Sequence, residues 1–69
     1  MKVVTDLTKN DISRWAFYKP QVGELERGKI KSFDNKAQVA WVVYKCNEDW
    51  DNYENYTAAS TNYSDLRLE

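Results

Sequence analysis

The stretch QVAWVVYKC, positions 38–46, constrains the fold more than any other part of this chain. It is dense in β-branched and aromatic residues, which fit a pleated surface and crowd a helix. Alternate side chains of a strand point to opposite faces. Ala40, Val42, Tyr44 and Cys46 therefore share one face, and Val39, Trp41, Val43 and Lys45 the other. Both faces are apolar as far as Val43, so the segment reads as a central strand with both sides at least partly covered. Cys46 is the only cysteine, which rules out an intramolecular disulfide. A chain of 69 residues buries a limited share of its surface. Its core must come from large side chains, and three Trp, five Tyr and two Phe supply them.

The remainder also reads as short strands, since no window of a dozen residues carries an apolar stripe at helical spacing. ELERGKIKSF, positions 24–33, predicts a second strand, and DNKA after it a turn, with Asp34-Asn35 as the hairpin connection. Gly28 inside that strand marks a bulge or sharp bend. RWAFYKP, positions 14–20, predicts a strand stopped by Pro20, with PQVG as a loop. Further strands are expected at YTAAST, positions 56–61, and LRL, positions 66–68. NYSD between them is a turn that Ser64 or Asp65 can cap. Positions 1–13 form an N-terminal segment in which Val3 and Val4 either add an edge strand or fray. Positions 14–69 then make one all-β domain of five short strands. A small, strongly bent barrel is the economical solution, because closure removes exposed edges. The terminal Leu68-Glu69 matches the residues that cloning leaves before a purification tag.

The run GELERGKIKSF … AWVVYKCNEDWDNYENYTAASTNYSDL resembles the SH3-like, Tudor-type small barrels. It is especially similar to short uncharacterised proteins of bacteria and their phages with a GxIKS … VVYKC … YTAA … DL arrangement. The resemblance covers roughly positions 14–68. It implies a five-stranded SH3-like barrel with a short turn or 3-10 segment before the last strand. It further implies a non-enzymatic, monomeric binding module or a phage accessory structural protein, with no specified ligand.

The residue inventory argues against most catalysis. Without histidine there is no Ser-His or Cys-His nucleophile system and no ordinary zinc site. The two glycines, Gly23 and Gly28, fit no phosphate-binding fingerprint. Glu48, Asp49, Asp51 and Glu54 lack the ligand spacing and central glycine of a calcium loop. No catalytic residue, metal or cofactor is expected, and Cys46 reads as a small buried hydrophobe. Nothing resembles a signal peptide or a membrane span, so a cytoplasmic location is expected. The Asn55 and Asn62 glycosylation patterns are then chance matches.

Two surfaces remain as binding candidates. Positions 1–36 hold eight Lys or Arg against five acids, and positions 37–69 two against six. In the acidic half, YKCNEDWDNYENYT sets Trp50, Tyr53 and Tyr56 three residues apart among carboxylates. These rings either anchor a long loop to the barrel, Tyr56 foremost, or open a groove. In that groove Trp50 and Tyr53 would face Phe17 or Tyr18, with Glu48, Asp49 and Asp51 at the rim. Aromatic faces and carboxylates both attract cations, so the groove would suit a Lys- or Arg-bearing peptide, or a proline-rich one. In the basic half, Arg27, Lys29 and Lys31 recur at period two, with Lys36 nearby. That stripe is either a solvated strand face or a contact for nucleic-acid phosphates, with Phe33 or Trp15 available for stacking.

Overall fold

Five strands form in the segments marked by the side-chain alternation, and the N-terminal segment contributes a sixth. The computed structural model describes all 69 residues. The strands are β1 (Lys2–Val3), β2 (Trp15–Tyr18), β3 (Glu26–Asp34), β4 (Val39–Val43), β5 (Ala59–Asn62) and β6 (Leu66–Leu68). Short 3-10 segments occupy Lys9–Asp11, Trp50–Asn55 and Tyr63–Asp65. All pairings are antiparallel within one sheet of order β1-β6-β2-β3-β4-β5. β4 thus lies between β3 and β5, one place in from an edge. β1 and β5 do not pair, so the sheet curls without closing and both edges persist.

Curling places one face inward. Ala16, Ile30, Ala40, Val42, Leu66 and Leu68 from β2, β3, β4 and β6 meet Val4, Leu7 and Tyr63 in the main core. Leu68 pairs with Ala16 on one side and Lys2 on the other, and its side chain packs in the main core. The bulge expected at Gly28 falls instead between Ile30 and Ser32. Gly28 is required for a different reason. A Cβ there would stand 2.6 Å from the Val43 carbonyl oxygen and 2.8 Å from the Tyr44 ring. The 3-10 turn at Tyr63–Asp65 forms where NYSD predicts a turn, but neither Ser64 nor Asp65 caps it, since its N-cap is Asn62 with no side-chain bond.

The β3–β4 turn organises the N-terminal segment. Asp34 Oδ1 accepts from the Lys36 and Ala37 amides at 3.0 and 3.2 Å, and Gln38 takes φ 57° to re-enter the sheet. Asn35 then turns its amide toward Leu7, accepting from the Leu7 N–H at 2.9 Å and donating to the Leu7 carbonyl at 2.8 Å. The Tyr63 hydroxyl donates to the same Asn35 oxygen at 2.6 Å. These bonds, with buried Val4 and Leu7, explain why residues 1–13 are held rather than frayed. The chain next makes a capped 3-10 turn, with Thr8 and Asp11 bonding each other's backbone and Arg14 paired to Asp11 at 3.0 Å. The Thr8 amide, then Arg14, hold the Asp11 carboxyl below its usual 3.8 against the opposing effect of burial.

The opposite face of the sheet is covered by positions 44–58. β4 ends at Val43, and Asn47 and Glu48 both adopt the left-handed region, φ 54° and 65°. The reversal carries Cys46 across to Val43 and Tyr53, away from the Ala40–Val42 face on which simple alternation would place it. Cys46 is buried and packs as a small hydrophobe there. Trp41 stays 37% exposed beyond the reach of this cover.

Asn35→Ala removes three bonds and strands the Leu7 backbone and the Tyr63 hydroxyl. A loss of about 2 kcal/mol is expected, given ~1–3 kcal/mol for leaving buried polar groups unsatisfied. The measurement is the urea midpoint at unchanged slope, with loss of amide protection in positions 1–8.

Candidate functional site

The expected aromatic–acidic groove does not form where the sequence suggested. Spacing by three puts Trp50, Tyr53 and Tyr56 along a 3-10 segment, which is two turns joined by a kink at Asn52. Tyr53 points inward and is 2% exposed. Its hydroxyl donates to the Ile30 carbonyl at 3.2 Å and shares a 2.6 Å bond with Ser13 Oγ. Ser13 is held in the left-handed region at φ 73°, its N–H donating to the same Ile30 carbonyl at 2.8 Å. Tyr53, not Tyr56, is therefore the anchor of the loop, and it is closed to ligand. Trp50 is half-buried, edge-on to Trp15 with centroids 4.9 Å apart. Tyr56 donates to Asp49 Oδ2 at 3.2 Å, and that bond to Asp49 raises its pKa above the usual 10.0. Glu48 and Asp51 are exposed. Phe17 and Tyr18 do not join the rings of this loop. Phe17 lies on the face the loop covers, paired with Arg27 and Arg67, but stacks with none of its rings, and Tyr18 faces the other side of the sheet.

The basic stripe meets the same outer layer. Arg27 lies 4.2 Å from the Trp15 ring centre, and Lys29 stands 4.8 Å from Trp15 and 5.4 Å from Tyr53. Lys31 donates to the Tyr56 carbonyl at 3.1 Å. Lys29 and Lys31 hold the loop, by cation–π attraction and a charge-assisted bond, and Arg27 stacks on the Trp15 ring that meets it. Lys36 sits apart in the β3–β4 turn. Phe33 packs against the main core, on the opposite face from the stripe.

An aromatic–acidic cleft does exist, at the rim of the inward face. It is lined by Tyr18 at the end of β2, Glu26 at the start of β3, Tyr44 just past β4, Asp65, and all four residues of β5. Its volume is about 370 Å³. A smaller recess of about 260 Å³ shares Glu26, Tyr44 and Ala59 and adds Lys45. Tyr44 is the pivot. It lies against Gly28, its ring is edge-on to Tyr18 at 6.3 Å, and its hydroxyl is 2.7 Å from the Thr61 hydroxyl. Burial, and then the charges of Glu26 and Asp65, push the Tyr44 pKa above 10.0. Neither carboxylate is paired, because the only ion pair in the molecule is Arg14 with Asp11. The site therefore offers two ring systems and two uncompensated negative charges around one opening.

Of the expected binding residues, only Tyr18 lines this cleft. Tyr44, Glu26 and Asp65 were missed because their meeting depends on register. Tyr18 pairs with Glu26 on one side and Leu66 on the other, and that pairing is invisible to alternation alone. The available signal was a tyrosine ending an apolar strand face opposite a glycine in the neighbouring strand.

Raised tyrosine pKa values have a consequence for stability. Tyr44 and Tyr63 are held neutral by burial, each above 10.0. Their contribution is complete below the unfolded value and is lost as pH rises through the folded values. Urea stability should fall above about pH 10, the ordinary tyrosine value. The fall should be smaller in Tyr44→Phe, even if that variant starts lower for lack of the Thr61 bond. No family model matches this chain, and no curated protein or solved structure shows detectable similarity to it.

Proposed function

We propose that this chain is a non-enzymatic binding module of the SH3-like, Tudor-type kind, taking a peptide with a Lys or Arg side chain into the Tyr18–Tyr44 cleft. Support for the SH3-like reading comes from connectivity. Strands β2 to β5 follow one another in sheet order, a 3-10 turn comes next, and β6 returns to pair with β2. The added β1 and the open edges are departures from a closed five-stranded barrel.

The observation that carries the binding reading is the pairing of Tyr18 and Tyr44 with unpaired Glu26 and Asp65. A cation entering there meets ring faces and two carboxylates, so it is favoured by quadrupole and Coulomb terms together. The wall is rigid, since Gly28, Thr61 and the strand register fix the Tyr44 ring. Rigid aromatic anchors lose little entropy on binding. The β2–β3 loop that joins Tyr18 to Glu26 carries Val22 fully out in solvent, an apolar contact for the rest of the ligand. The nucleic-acid reading loses ground, because Arg27, Lys29 and Lys31 are engaged with Trp15, Tyr53 and the Tyr56 carbonyl.

The test is affinity for a capped arginine-bearing peptide by calorimetry. Glu26→Gln and Asp65→Asn are each expected to weaken binding by about fivefold at low salt, an exposed charge pair being worth up to ~1 kcal/mol. Asp49→Asn and Asp51→Asn should change it little. Equal losses in both pairs of variants would return the site to the loop. Tight oligonucleotide binding that falls steeply with salt would favour the nucleic-acid reading instead.

A further inference from the structure

We infer that the ligand binds as an added β-strand along the free edge of β5, with its basic side chain in the cleft. This rests on the cleft assignment above and specifies its geometry. β5 is the last strand of the sheet, paired only with β4. The Tyr63 N–H donates to the Gln38 carbonyl at 2.9 Å, which fixes the phase of the antiparallel ladder. Continuing that phase, Thr61 faces Ala40 and Ala59 faces Val42 as hydrogen-bonded pairs. Ser60 and Asn62 alternate with them, so their N–H and C=O groups point away from the sheet. Neither residue is hydrogen-bonded to another element of the protein on that side.

Exposed edges are usually blunted by Lys, Pro, a bulge or cover. The opposite edge follows this rule, with β1 only two residues long and carrying Lys2. Along β5 the sequence is Ala-Ser-Thr-Asn, with no charge and no proline, and its ladder with β4 has no bulge. The cleft touches all four β5 residues, so it runs beside this edge and not at one end of it. A strand laid there would gain backbone bonds from Ser60 and Asn62 while every second side chain turns toward Tyr18, Tyr44, Glu26 and Asp65. Charge decides the occupant. Both carboxylates of the cleft are unpaired, so a segment with Lys or Arg at one inward position is favoured. A second copy of this chain would set one acidic cleft beside another.

Three comparisons test this with one capped six-residue peptide of alternating Thr and Val carrying a central Arg. First, binding should slow hydrogen exchange at the Ser60 and Asn62 amides and leave Thr61, already bonded to β4, unchanged. Second, N-methylation of the peptide amides in the pairing register should weaken binding at least tenfold, while methylation of the alternate amides should not. Third, Ser60→Pro removes an outward N–H without touching the β4 ladder, and should weaken binding by a similar factor. If this variant fails to fold, the N-methyl series decides alone. Cleft shifts with no register dependence, or a proline-rich arginine peptide binding more tightly, would overturn strand addition while leaving the cleft as the site. No shifts at Tyr18 or Tyr44 with any of these peptides would overturn both. A concentration-dependent dimer of the free chain that Ser60→Pro abolishes would overturn the peptide as occupant.

Discussion

The contact between Tyr44 and Gly28 is the one on which the rest of the arrangement depends. A tyrosine ring can lie against a neighbouring strand only where that strand has no side chain, and any Cβ at position 28 would press into the Val43 carbonyl and the ring together. Overpacking of that kind costs about 1–3 kcal/mol. Held there, Tyr44 reaches Thr61, so one side chain joins β3, β4 and β5 across the inward face. It also lies beside Tyr18, which turns the rim of an ordinary curled sheet into a cleft with two aromatic walls.

The other aromatic cluster does different work. Trp15, Trp50 and Tyr53 form a second, smaller layer on the outer face, tied down by Arg27, Lys29 and Lys31. In a domain this short, one core is too small to fix a fifteen-residue connection, and the chain uses cation–π contacts and the Tyr53 hydroxyl for the purpose. Aromatic rings and charges thus appear twice, once with positive partners in a structural role and once with negative partners at an opening. Sign separates them. Arg27, Lys29 and Lys31 of the outer layer are engaged, and the cleft carboxylates are left unpaired.

Much of the fold was legible in the sequence for a definite reason. Strand segments follow from period-two alternation, which is local, and so β2 through β6 fall within or beside the marked stretches. The turn before β6 was legible from NYSD in the same way. What failed was non-local. Cys46 changes face because two successive left-handed residues, Asn47 and Glu48, reverse the chain, and neither is a glycine that would have announced it. Asn35 reads as a turn residue and is one, but its grip on Leu7 lies 28 positions away in sequence. Tyr53 and Tyr56 have the same composition around them, and only packing against Ile30 and Ser13 decides which is buried. The candidate site was legible in chemistry, rings beside carboxylates, but not in place, because Glu26, Tyr44 and Asp65 come together only through strand register.

The most direct measurement of the central claim is an intermolecular nuclear Overhauser spectrum of the chain with a bound arginine-bearing peptide. The account predicts contacts from the arginine methylenes to the Tyr18 and Tyr44 rings, and from the peptide backbone to Ser60 and Asn62. Contacts to Trp50 and its neighbours in the 48–53 loop, with none to Tyr44, would contradict it.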